Sequence, residues 1–181
     1  MKKIAIIAFI AALPLMSFSQ SVFEKFEDMD DVTTVVVNQN MFKLISKMEI
    51  DVDDPETRDY IDIAKSLKNL KVFATESKSI ATEMKSVVDS YLRNSSLQEL
   101  MRVKDKDANV KFYIKQGRDE DHVSELLMFV SGIKEVEANG RKVETVLLSL
   151  TGDIDLNKIN SLTKKMNLPG GEQLKKAGKK Q

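Results

Sequence analysis

The chain has 181 residues, with 28 basic against 28 acidic side chains, no Cys, no Trp and one His. Even charge is wrong for a nucleic-acid binder, whose affinity grows with the number of Lys and Arg contacts to phosphate. The lack of Cys excludes thiolate nucleophiles, thiolate metal cages and disulfide staples, and one His leaves little material for a triad or an imidazole-based metal site.

Residues 1–19, MKKIAIIAFIAALPLMSFS, start basic at Lys2 and Lys3, run apolar through Leu13, and break at Pro14 ahead of Ser17 and Ser19. The pattern predicts a secretory signal peptide cleaved after Ser19, leaving Gln20 or Ser21 first; a retained membrane anchor is the competing reading. Without Lys2 and Lys3 the balance becomes 26 basic to 28 acidic, a net charge of −2. Residues 20–168 then make one domain of ordinary size, able to bury a core without staples. Residues 169–181, PGGEQLKKAGKKQ, read as a flexible basic tail. Its lysines suit solvation, or a weak contact with an anionic surface.

After the leader, residues 21–29 (SVFEKFEDM) place Val22, Phe23, Phe26 and Met29 at helical spacing behind a Ser cap. The β-branched run 32–37 (VTTVVV) predicts the first strand. A short helix follows, capped by Asn40 or Asn38, with Met41, Leu44, Ile45 and Met48 on one face. In EIDVDDPETRDYIDIAKSL, Asp54 reads as a cap and Pro55 as the first helical residue, with Tyr60, Ile61, Ala64 and Leu67 as the buried stripe. Residues 70–75 (LKVFAT) predict a second strand. Ser77 or Ser79 then opens a longer helix with Ile80, Met84, Val87, Val88 and Tyr91 inward, ending near Asn94. Ser96 and Glu99 stand at capping-box spacing, so a further helical piece is predicted to about Val103.

The last third changes to a period of two. NVKFYIKQ sets Val110, Phe112 and Ile114 against Lys111, Tyr113 and Lys115, the mark of a strand wet on one face. HVSELLMFVSG is more apolar and more central, and RKVETVLLSLTG completes an antiparallel meander of three strands. The turns between them carry Gly and Asn-Gly, which tolerate positive φ. The expected fold is α+β: one mostly antiparallel sheet of about five strands, with a C-terminal three-strand meander and helices packed on one face.

Carboxylates twice mimic a calcium loop. From Asp51 and Asp53, an EF-hand would need Gly sixth and Glu twelfth, where Glu56 and Asp62 stand; from Asp153, Asp155 and Asn157 the same positions hold Lys158 and Lys164. Both stretches therefore read as helix starts, the second as a strand ending at Thr151, a turn at Gly152, and a cap at Asp155 or Asp153. Leu156, Ile159, Leu162 and Met166 would face the core of that helix.

His122, after Asp119, Glu120 and Asp121, falls where a charged turn enters a strand and is expected at an exposed or edge position. Met29, Met41, Met48, Met84, Met101, Met128 and Met166 are dispersed on apolar stripes, so they read as core filler rather than copper ligands. No phosphate-cradling glycine motif occurs. Facing carboxylates for sugar hydrolysis depend on spatial pairing, but the missing Trp counts against a sugar cleft. No catalytic, cofactor or metal residue is assigned, and no cofactor is expected.

The combination of the FEKF opening, TTVVV followed by MFKLISKM, LKVFATES, FVSG, and VLLSLTGDIDLNKINSLTKKM resembles a family of small exported Bacteroidetes proteins known as domain of unknown function 4252. The likeness covers most of the chain after the leader. It implies an envelope location and no established activity. Many members look like lipoproteins with Cys at the cleavage site; here Ser19 and Gln20 stand there instead, which implies a soluble periplasmic or secreted form. The expected function is a non-catalytic interaction module binding an envelope protein, with a small-ligand or cation carrier as the alternative and a hydrolase behind both.

Overall fold

The computed structural model describes residues 21–47, 55–104, 106, 108–133, 137–138, 141–156 and 158. Asp51, Asp53 and Asp54, the helix expected after Leu156, and the basic tail lie outside the described residues, as do residues 1–19.

The β-branched run forms β1 (Val32–Asn38), and the chain turns directly into helix α1 (Gln39–Lys47). Asn38 is the cap: its Oδ1 accepts from the backbone N–H of Asn40 at 3.0 Å and of Met41 at 3.2 Å. Helix α2 (Pro55–Ser66) starts at the proline, as its fixed φ favours, and passes without a loop into β2 (Leu67–Thr75). Helix α3 (Lys78–Asn94) is capped by Ser77, whose Oγ accepts from Ile80 N–H, and buries Met84, Val88 and Tyr91 as the spacing predicts. The remaining strands are β3 (Gln98–Lys104), β4 (Asn109–Gln116), β5 (His122–Ser131), the short hairpin β6 (Glu137–Ala138) and β7 (Arg141–Lys142), and β8 (Thr145–Asp155).

Six strands form one antiparallel sheet in the order β1-β2-β8-β5-β4-β3; β6 and β7 pair separately. The expected meander of β4, β5 and β8 is present as antiparallel neighbours, β3 extends it on the β4 side, and β8 also pairs with β2. Strand β2 sits near one edge and β3 at the other. Helix α3 is the crossover between them, and it has to pass over β8, β5 and β4 to make the connection.

That crossover places helices on both faces of the sheet, not on one. Phe42 of α1 and Ile63 and Ala64 of α2 pack with Leu70, Phe112, Leu126, Met128, Leu148 and Leu150 on one side. On the other, Met84, Val88 and Tyr91 of α3 join Phe23, Phe26, Phe73, Leu127, Phe129 and Leu147. Strands β5 and β8 are buried on both faces, which is why they read as nearly unbroken apolar runs. The expected wet face of β4 is only partly so: Lys115 is exposed and Lys111 half-buried, but Tyr113 lies in the α3-side core.

The helix expected from Ser96 to Val103 is strand β3. Glu99 sits three residues after Ser96, as a capping box requires, but the backbone of this stretch pairs with β4, from Gln98 opposite Ile114 to Lys104 opposite Asn109. Glu99 bonds Arg102 on the same strand, with Nε at 3.0 Å and Nη2 at 2.6 Å. Local spacing lost to an open sheet edge that could be extended.

A second correction concerns Gly152. It is not a turn, because β8 continues through it to Asp155 and Asp153 lies within that strand; the residues that a cap at Asp155 would open onto lie outside the described residues. Gly152 lies opposite Leu67 at an irregularity in the β2–β8 register, with φ +156. A Cβ there would come within 2.5 Å of the Ser66 carbonyl oxygen and 2.8 Å of Leu67 Cα. Glycine is needed for this close backbone approach, where the end of α2 lies against β8.

Candidate functional site

A strand buried on both faces leaves no room for solvated charge, yet two charged side chains lie inside the α3-side layer. Lys71 on β2 and Glu125 on β5 are both almost wholly buried, together with Ser149, Thr145 and Thr75. Register places them in neighbouring rows, with Lys71 opposite Ser149 and Glu125 opposite Thr151.

Each charge has found a partner from the elements above the sheet. Both carboxylate oxygens of Glu125 accept from the Tyr91 hydroxyl, at 2.8 and 3.0 Å. Burial still pushes the Glu125 carboxyl above the usual carboxylate range, with the Tyr91 bond and the Lys115 charge pulling the other way. Lys71 Nζ lies 2.7 Å from Glu27 Oε1 and 3.7 Å from Glu24 Oε1, fastening the N-terminal segment to the sheet. That segment is a 3-10 helix (Ser21–Phe26) rather than the α-helix its spacing predicts. Three residues per turn align Phe23 and Phe26. Both rings are fully buried, Phe23 edge-on to Tyr91 and Phe26 edge-on to Phe73.

Ser149 beside Lys71 has the composition of a Ser–Lys nucleophile pair, but the atoms do not meet. Ser149 Oγ is buried with no hydrogen-bond partner among the described residues, and Lys71 Nζ is committed to Glu27.

His122 opens β5, with its side chain 15% exposed, in the turn after β4. Nδ1 lies 2.6 Å from Asp119 Oδ1 and Nε2 lies 2.6 Å from Arg118 Nη2. Arg118 can only donate, and Asp119 presents an oxygen to the other ring nitrogen. The Asp–His half of a triad is therefore present, but a guanidinium fills the place a nucleophile would take. The His122 bond is also the main reason that the Asp119 carboxyl is held below the usual range. Arg118 further reaches Asp153 at 3.4 Å, so the first acid of the supposed calcium loop serves a hairpin turn.

A family model described as Domain of unknown function (DUF4252) matches residues 26–162. The chain belongs to this family. The matched span takes in all eight strands of the DUF4252 domain and both polar features, leaving most of the 3-10 helix outside. Neither a curated protein nor a solved structure matches the chain.

Among the described residues, large apolar side chains are exposed at both sheet edges, with Leu100 on β3 and the others at β1 and α1. Val35 and Val36 on β1 are 48% and 46% exposed, and Met41 and Leu44 on the adjoining α1 are 48% and 58% exposed. Of the expected face of α1, Met41 and Leu44 are turned outward and Ile45 is half-buried, while Phe42 enters the core; Met48 lies outside the described residues. Among the described residues no group of three or more Asp, Glu or His is placed to hold a metal ion.

Sequence reasoning passed over Lys71, Tyr91 and Glu125 as polar actors. The available signal was a single charge inside each of two strands that otherwise read as interior.

Proposed function

We propose that this DUF4252 chain is exported and works as a non-catalytic interaction module of the cell envelope, binding through the β1 edge. The observation that carries the reading is the set of exposed apolar residues Val35, Val36, Met41 and Leu44, within ten residues of one another on the outermost strand and the helix that continues it. Unpaired strand edges bind extended chain by main-chain hydrogen bonds, with side-chain pockets adding selectivity. The basic-then-apolar opening of residues 1–19 supports export. Among the described residues no helix is long and apolar enough to cross a membrane.

The polar groups that an enzyme would use are engaged inside the fold: Glu125 by Tyr91, Lys71 by Glu27, and His122 by Asp119 and Arg118. This favours binding over catalysis. The test is affinity capture from the native envelope with the wild-type chain and a Val35→Lys variant as baits. A polypeptide recovered by the first and lost with the second is the expected result. Recovery that ignores the substitution rejects the β1 edge as the binding surface.

A further inference from the structure

We propose that the occupant of the β1 edge is a second copy of this chain, the two β1 strands pairing antiparallel across a twofold axis to join the sheets. The inference rests on the preceding reading of β1 as the binding surface and names its partner.

The two edges of the sheet are treated differently. Strand β3 carries Glu99, Arg102 and Lys104, and its register shifts between Glu99 and Met101, both devices that discourage edge-to-edge pairing. Strand β1, VTTVVVN, has no charge and no proline, and it pairs with β2 through all seven residues without a shift. A flat, uncharged edge with half-exposed valines at its centre is what a continuing sheet requires.

Charge outside the strand selects an antiparallel copy. The residues just before β1 include the exposed Asp28, Asp30 and Asp31, whereas α1 just after it carries the exposed Lys43 and Lys47. Antiparallel pairing lays the acidic entry of one strand beside the basic exit of the other, and the twofold repeats that match at both ends. Parallel pairing would set like charge against like. Because opposite residues in an antiparallel pair point to the same face, the axis passes through a residue. Val35, at the middle of the seven, then faces its own equivalent, and Thr34 faces Val36. Such β-branched cross-strand pairs stabilise sheets, and Met41 and Leu44 flank the joint.

The chain contains no cysteine, so Val35→Cys introduces a single thiol. Facing strand residues lie about 4.5–5.5 Å apart between Cα atoms, inside disulfide range. Mild oxidation of the exported full chain is expected to yield a covalent dimer from Val35→Cys but not from Leu100→Cys on the β3 edge, which is 46% exposed. Light scattering of the wild-type chain should give twice the monomer mass. Val35→Lys, which puts two ammonium groups face to face, should weaken the dimer more than tenfold with circular dichroism unchanged and with a melting temperature equal to that of the wild-type chain diluted to its monomer.

A wild-type chain still monomeric at about 100 μM, equal cross-linking at both edges, or a dimer indifferent to Val35→Lys overturns the proposal. A monomeric chain whose envelope partner is lost on Val35→Lys rejects self-pairing alone. When neither mass nor capture responds, the binding reading falls with it.

Discussion

Glu125 and Tyr91 carry the sharpest pH signature of the fold. A carboxyl whose native pKa is raised binds its proton more tightly folded than unfolded. Its contribution to stability is fully present below the ordinary carboxylate pKa and is lost as pH rises through the raised native value. Glu125→Gln keeps an oxygen to accept from Tyr91 and removes the buried charge. It should stabilise the domain by about 1 kcal/mol at neutral pH, with the gain disappearing in acid, as urea unfolding at several pH values would show. Asp119 acts in the opposite sense: its carboxyl is lowered, so its contribution is present above the ordinary pKa and fades as acid passes through the native value. Gly152→Ala forces a methyl against the Ser66 carbonyl and should cost roughly 2–3 kcal/mol. A melting temperature equal to wild type would show that the contact relaxes freely.

At the scale of single elements, local chemistry succeeds where the backbone has one good option. Pro55 opens α2, Ser77 caps α3, and the stripe Met84, Val88 and Tyr91 goes inward as its spacing requires. Asn38→Ala removes two bonds to the first turn of α1 and should cost about 1 kcal/mol, measured by chemical denaturation. Where the residues allowed two outcomes, pairing decided. Residues 98–104 satisfy a capping-box spacing and also alternate exposed and half-buried side chains, and β4 offered a free edge along their whole length. The same competition carried β8 through Gly152, since both β2 and β5 extend along it and a turn would have left their backbone groups unpaired.

For the whole molecule, the two cores share β2, β8 and β5, whose alternate residues feed opposite faces. Phe73 points to α3 and Leu148 to the other layer. Phe73→Ala and Leu148→Ala should therefore each cost about 3–4 kcal/mol and still melt in a single transition, with calorimetric and van't Hoff enthalpies agreeing. A two-step melt in either variant would mean that the layers unfold independently. The N-terminal 3-10 helix belongs to this unit through Phe23, Phe26 and the Lys71 ion pair rather than through any length of its own.

The α+β class, most of the strands and helices, the caps of α1 and α3 to within two residues, and the interior character of β5 and β8 were legible in the sequence, because propensity, capping and apolar periodicity act within a few residues. The family was legible as well, from short motifs in combination. The sixth strand, the helices on both faces, the strand at 98–104, the outward turn of Met41 and Leu44, and the burial of Lys71 and Glu125 depended on which strand lay beside which. That is a property of pairing and crossover over tens of residues, and no local period encodes it. The β1 edge is of the same kind: VTTVVV announces a strand by itself, and only the strand order shows that, among the described residues, no strand pairs with its outer side.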